Sequence, residues 1–129
     1  MKLRWIKVLF WLAGIYDALL GAAFLFFGTD IFRVTRVTPP NHIGYIQFPA
    51  LVLIIFGVMF FRIAAEPIKN REMIWYGVAL KASYSGVTFW HDFHGGIPAM
   101  WLPWAWTDII FFILFLVAWK QLASAQPES

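Results

Sequence analysis

The chain has no cysteine, and only 13% of its 129 residues are charged. Without cysteine there are no disulfides, no thiolate metal ligands and no cysteine nucleophile. A soluble domain carries about 25% charged and about 45 to 50% apolar residues, whereas this chain is 61% hydrophobic and 20% aromatic. The composition therefore excludes a soluble globular domain and predicts a membrane protein.

The sequence also lacks a phosphate-cradling loop and a complete catalytic signature, so it predicts no enzymatic activity. Its net charge of +3 would suit nucleic acid as a partner. However, the basic residues lie at the ends of apolar segments, where they follow membrane topology instead of forming a phosphate-tracking stripe. The predicted partner is the lipid bilayer, and nucleic-acid binding is not predicted.

Four apolar segments are long enough to cross about 30 Å of hydrocarbon as helices. The first continues through Tyr16 and Asp17, beyond the apolar core of a signal peptide, which argues against cleavage. Paired prolines predict a loop over residues 29–43, and Pro49 favours a kink in the second span. The fold class is all-α, an integral membrane four-helix bundle forming one domain over residues 1–129. The spans are predicted at about 5–27, 44–64, 73–93 and 101–122.

Basic residues are distributed unequally between the two sides of the predicted bundle. Two, Arg33 and Arg36, fall on the side of the first loop, and seven fall on the side of the termini. Cytoplasmic flanks carry the excess of lysine and arginine, so both termini are predicted to be cytoplasmic. Tryptophan prefers the membrane interfaces, and a belt on the outer side is predicted from Trp90, Trp101, Trp104 and Trp106. The tail from residue 123 to 129 is short and polar.

Three ionisable residues lie inside the predicted spans: Asp17, Lys81 and Asp108. A charge at the bilayer centre costs about 2.5 to 3.5 kcal/mol on insertion scales, so such residues usually face a protein interior and find partners. A rise of about 1.5 Å per residue puts Asp17 and Lys81 near the midplane and Asp108 somewhat nearer the outer side. We therefore predict one buried cluster with a formal charge of minus one.

Helical spacing extends this cluster to neighbouring polar residues. The third span has a polar stripe around Lys81, and the first has a small-residue face, from Gly14 to Gly21, that lets another helix approach closely. The predicted hydrogen-bond partners of the cluster are Tyr16, Gln47, Tyr84, Ser85 and Thr88.

Two interpretations of the cluster stay open. In the first, Lys81 pairs with one or both aspartates to hold the helices together, because removing one partner of a buried pair is costly. In the second, the surplus carboxylate binds a proton or a cation reversibly, because intramembrane acids often mark ion paths. The predicted function is a membrane accessory or small-solute-binding protein. The alternative is a proton- or cation-coupled small transporter acting as an oligomer.

All three histidines are predicted on the outer side, His42 in the first loop and His91 and His94 at the end of the third span. Histidines three residues apart share a helix face and could bind a metal together with His42 or Asp92. The alternative is that they cap the helix and line a solvated loop. A pH-sensing role is also open, because imidazole titrates near neutrality.

Four short spans, both ends inside, an aromatic-rich body and the stretch from Gly21 to Gly28 resemble the small bacterial DoxX-like membrane proteins. The resemblance implies a bacterial inner membrane. The protein partner that we predict is a second copy of the chain, in a homo-oligomer, or a larger membrane complex. The resemblance also implies a redox-associated enzyme subunit as a third possible function. The sequence predicts no cofactor, and such an enzyme would need quinone, haem or a metal at His42, His91 and His94. DoxX-like chains often carry an acidic residue in the second span, where this chain has no glutamate, so no site residue is transferred. Small multidrug transporters also have an acid in the first of four helices, but their dual-topology members need a weaker charge bias.

Overall fold

The computed structural model describes residues 2–125, and this part of the chain forms four α-helices joined by short loops. The all-α class and the order of the four helices are therefore confirmed. Residues 126–129 of the predicted tail lie outside the described residues. The helices are α1 Lys2–Val34, α2 Gly44–Ala65, α3 Ile74–Phe93 and α4 Leu102–Ala123, with single 3₁₀ turns at Arg71–Met73 and Ala99–Trp101.

Three of the helices in the described part, α1, α2 and α4, are long and apolar enough to cross a membrane. The third helix, α3, is 20 residues long, but Lys81, Asp92 and several hydroxyl side chains make it less apolar. Large apolar side chains such as Leu19 and Phe26 are exposed along the outside of the bundle. An apolar surface of this extent suits contact with lipid.

The first helix continues to Val34, beyond the end predicted near residue 27, so the prediction of a loop from residue 29 was wrong for its first turns. Phe27 has non-helical backbone angles, with φ −127° and ψ 20°, and marks a kink. After it, Asp30 pairs with Arg33 at 2.6 Å, and Phe32 is buried. One i,i+3 ion pair and one buried aromatic ring thus support a last helical segment that hydropathy alone does not reveal.

The bundle consists of two antiparallel hairpins, because α1 packs mainly against α2 and α3 mainly against α4. Glycines allow the close approach of α1 to α2. A Cβ atom at Gly21 would lie 2.6 Å from the carbonyl oxygen of Ala50, and one at Gly14 would lie 2.9 Å from that of Gly57. The small-residue face predicted for the first span therefore contacts a neighbouring helix. In α2 the helix stays continuous through Pro49.

We call the end of the bundle that holds residues 2–6, 65–73 and 119–123 the terminal end, and the opposite end the loop end. The half at the terminal end is filled by one apolar core with contributions from all four helices, including Phe10, Phe60 and Phe115. At the loop end a smaller cluster forms around Phe24 and Phe32. The buried charged residues lie between these two apolar regions.

Candidate functional site

Lys81 joins both aspartates in one buried charge cluster. Its ammonium Nζ donates to Oδ1 of Asp17 at 2.8 Å and to Oδ1 of Asp108 at 3.0 Å. The side chains of Lys81 and Asp17 are 1% exposed, and that of Asp108 is 10% exposed. The meeting of these three residues confirms the contact predicted from their depth. Because they come from α3, α1 and α4, the cluster also connects the two hairpins.

Aromatic rings surround the rest of the Lys81 ammonium group. Its Nζ lies 5.1 Å from the ring centroid of Phe111, 5.2 Å from that of Tyr16 and 5.7 Å from that of Phe60. Rings at this distance attract a cation through their negative faces. Tyr16, predicted as a hydrogen-bond partner, therefore contributes its ring, and its buried hydroxyl has no hydrogen-bond partner among residues 2–125.

The polar stripe of α3 faces α4, but it does not solvate the carboxylates. The Tyr84 hydroxyl donates to the carbonyl of Trp101 at 2.8 Å, and the Ser85 hydroxyl donates to that of Ala105 at 3.0 Å. Thr88 is buried on the same face. The Ser85 hydroxyl thus bonds α3 to α4, and the Tyr84 hydroxyl bonds it to the 3₁₀ turn just before α4. The structure does not place Tyr84, Ser85 or Thr88 as direct partners of the charges.

Gln47 does not reach the cluster either. Its side chain is exposed, whereas its neighbour Ile46 is buried, as is Ala50 one turn further on. Successive residues in an α-helix point about 100° apart, so the interior face of α2 passes through Ile46 and Ala50 and leaves Gln47 outside.

A cavity of about 410 Å³ lies between the hairpins on the loop-end side of the charge cluster. Two residues in its wall, Tyr45 and Phe48, are 68% and 70% exposed, so it opens to the surface beside the loop end of α2. Both Asp17 and Asp108 contribute to its wall, together with apolar and aromatic side chains. The remaining lining residues are Leu20, Phe24, Phe32, Ile46, Pro49, Ala50, Val52, Leu53, Leu80, Tyr84, Trp101 and Trp104.

The two carboxylates differ in their relation to this cavity. Asp17 is enclosed, and its second oxygen, Oδ2, is buried with no hydrogen-bond partner within residues 2–125. Asp108 retains some accessible surface. On the same wall, the indole Nε1 of Trp104 is a buried donor that also finds no acceptor in the described chain. The cavity thus combines apolar walls with a negatively charged floor formed by Asp17 and Asp108.

Trp101 and Trp104, predicted at the outer membrane interface, also line the cavity, which was not predicted. Trp101 stacks on Phe24 with ring centroids 6.1 Å apart. A signal was present, since residues 101, 104 and 108 lie three and four positions apart and therefore share one helix face with Asp108.

The histidines stay apart in the structure. His42 Nδ1 accepts the backbone N–H of Gly44 at 2.9 Å, and the His94 ring stacks on Trp90 with centroids 4.0 Å apart. Across residues 2–125, no three histidine, aspartate or glutamate side chains are grouped as metal ligands. A metal site at His42, His91 and His94 is thus a prediction without support from the structure.

The chain matches no protein-family model, no curated protein and no solved structure. The resemblance to the DoxX-like group therefore depends on architecture alone, and these comparisons do not support it.

Proposed function

We propose that the protein binds a small, largely apolar molecule in the cavity beside the charge cluster. One observation carries the proposal: an apolar cavity of about 410 Å³ ends at the carboxylates of Asp17 and Asp108. Ligand sites are typically clefts of about 300 to 1,000 Å³ with apolar walls and a few convergent polar groups. A cavity of this kind favours a small-solute-binding protein over a purely structural one.

We infer that α3 is a fourth span and that the cavity lies within the membrane. Three of the polar side chains that lower the hydropathy of α3, Lys81, Ser85 and Thr88, are buried against the bundle. The exposed Ser83 hydroxyl donates to the Ala79 carbonyl within the helix, and the exposed Asp92 lies in the last turn, at the loop end. Lipid would instead contact outward residues such as Val87. The excess of basic residues at the terminal end favours a cytoplasmic position for both termini. The cavity would then open towards the outer half of the membrane.

Binding is favoured over transport because the cavity has its opening on one side. The half at the terminal end is filled by tightly packed aromatic side chains, including Phe10, Phe60 and Phe115. A transporter would have to open this core to release a molecule on the other side. Transport is the second candidate, since the surplus negative charge favours a cation. It predicts a flux in proteoliposomes that Asp17→Asn abolishes while the amount of folded protein is unchanged.

A redox-associated subunit and a homo-oligomer or larger complex stay predictions from the sequence. An absorption spectrum of the purified protein tests for haem or quinone, and its mass in nanodiscs tests the oligomeric state.

Photolabelling with 4-methylbenzophenone, a neutral two-ring ketone, tests the proposed cavity. The protein is placed in nanodiscs, irradiated with the probe, and the labelled residues are mapped by peptide mass spectrometry. Leu20 lines the cavity, whereas the adjacent Leu19 is 66% exposed on the outside. The ratio of labelling at Leu20 to that at Leu19 therefore measures entry into the cavity and corrects for partitioning into lipid.

Two matched substitutions on α2 distinguish filling of the cavity from any other effect of a new tryptophan on the labelling ratio. Val52 lines the cavity, and Val58 is 54% exposed. Val52→Trp should place its larger side chain in the cavity and lower the Leu20-to-Leu19 ratio several-fold, while Val58→Trp should leave it unchanged. Equal ratios in the two variants and the unmodified protein would overturn the proposal.

A further inference from the structure

The charge cluster has one negative charge more than Lys81 can neutralise. Lys81 pairs with both Asp17 and Asp108, and within residues 2–125 no other basic side chain pairs with either carboxylate. A buried charge without a partner is costly in a low-dielectric interior. The floor of the cavity therefore favours the approach of one positive charge and disfavours an anion.

Exposure identifies the carboxylate that such a charge would meet. The Asp17 side chain is enclosed at 1% exposed, and that of Asp108 is 10% exposed on the cavity wall. Lys81 Nζ donates to Oδ1 of Asp108. The other carboxylate oxygen of Asp108 can therefore accept from a donor in the cavity. A charge-assisted hydrogen bond of this kind is stronger than a neutral one.

The remaining walls select the kind of cation. A metal ion such as calcium takes about six to eight oxygen ligands, but these walls consist mainly of hydrocarbon and rings, including Phe24, Trp101 and Trp104. A proton would not need a space of about 410 Å³. Aromatic faces attract organic ammonium groups, and apolar walls bury an organic body.

We propose that the molecule bound in this cavity is an organic monocation. It is an amine with an apolar, ring-containing body, whose ammonium group donates to Asp108 and whose body packs against Phe24, Trp101 and Trp104. This inference depends on the proposed binding function and adds the chemical class of the ligand.

Three photoprobes with the same two-ring body and different charges test the ligand class. They are 4-(aminomethyl)benzophenone as the cation, 4-methylbenzophenone as the neutral analogue and benzophenone-4-carboxylate as the anion. Each is added to the protein in nanodiscs of zwitterionic phosphatidylcholine, and the Leu20-to-Leu19 labelling ratio is measured across probe concentrations. The cation should half-saturate Leu20 at a concentration roughly ten- to a hundredfold lower than the neutral probe, as expected for a hydrogen bond to a charged group. The anion should label Leu20 least.

The variant Asp108→Asn should remove this preference, so that cationic and neutral probes label Leu20 alike. Asp30→Asn is the matched control, because Asp30 is an exposed aspartate outside the cavity, and it should keep the preference. Labelling of Asp108→Asn by the neutral probe shows whether its cavity is intact. If the cavity is lost in this variant, Asp108→Glu serves instead: it keeps the negative charge and should retain the preference for the cationic probe.

The outcomes separate the two proposals. If no probe labels Leu20 above Leu19 in the unmodified protein, the binding function itself fails. If the neutral probe enters the cavity and the cation shows no advantage, the cavity binds apolar molecules or acyl chains, and the organic monocation is excluded. A cation preference that survives Asp108→Asn would also overturn the assignment of Asp108.

Discussion

Replacing Lys81 with methionine should be the most damaging single change in the charge cluster. Methionine keeps much of the apolar stem but removes the ammonium group that both carboxylates share. Asp17 and Asp108 accept from the same Nζ at 2.8 Å and 3.0 Å, so their Oδ1 atoms can be no further apart than the sum of these distances. The variant therefore leaves two buried carboxylates close together without a counter-charge.

The expected loss follows from the number of partners that each residue has. Removing one partner of a buried pair costs about 3 to 5 kcal/mol, and Lys81→Met should reach the upper part of this range because Lys81 serves two carboxylates. Asp17→Asn should cost less, about 1.5 to 3 kcal/mol for one hydrogen bond to a charged group, since Lys81 keeps Asp108. The predicted order of destabilisation is therefore Lys81→Met above Asp17→Asn.

Reversible unfolding in mixed micelles with increasing SDS, followed by circular dichroism, measures these free energies. Lys7→Met is the control, because Lys7 is an exposed lysine in α1, and its effect should stay within about 0.5 kcal/mol. A triple variant, Lys81→Met with Asp17→Asn and Asp108→Asn, contains no buried charge and should regain much of the lost stability.

Two results would refute this reasoning. One is a cost of less than about 1 kcal/mol for Lys81→Met, far below the value for a broken buried pair. The other is a triple variant that is no more stable than Lys81→Met, which would mean that unpaired carboxylates are not the source of the loss.

Two further predictions use the same unfolding assay. Gly21→Ala should destabilise the protein, because the new Cβ would lie 2.6 Å from the Ala50 carbonyl oxygen, whereas Gly86→Ala, with no atom within 4 Å, should be neutral or stabilising by up to about 1 kcal/mol. Equal effects at the two glycines would contradict the close packing of α1 on α2. Tyr84→Phe removes one hydrogen bond to the Trp101 carbonyl and should cost about 1 kcal/mol; an unchanged stability would show that this bond does not hold α3 to the 3₁₀ turn just before α4.

The charge cluster could be predicted from sequence because depth and helical phase are local properties. Counting residues from the ends of each span placed Asp17 and Lys81 at one level, and the structure joins them with Asp108. The prediction for Gln47 was wrong because residue counting determines how deep a residue lies in the membrane but not which way it faces. The rotation of a helix about its axis can be predicted only where its apolar and polar faces differ clearly. In α2 nearly every residue is apolar, so the sequence did not show that Gln47 lies outside.

The cavity could not be predicted because it depends on the space between two hairpins. Its walls come from residues on all four helices. The sequence of any one helix does not determine the distance between the hairpins at the loop end. The extension of α1 contributes as well, since Phe32 lies beyond the predicted end of that span and still lines the cavity. The spacing of Trp101, Trp104 and Asp108 was the one local indication of this site.

The sequence posed a choice between a structural pair and a functional carboxylate, and the geometry favours different roles for the two aspartates. Asp17 is enclosed with Lys81 at the junction of the hairpins, where loss of charge should mainly cost stability. Asp108 takes part in the same cluster and also borders the cavity, so its loss should change ligand charge preference. If both proposals hold, Asp17→Asn and Asp108→Asn will differ in kind. Each removes the surplus negative charge and so weakens the attraction for a cation, but only Asp17→Asn retains the partly exposed carboxylate of Asp108 that can accept from a bound amine.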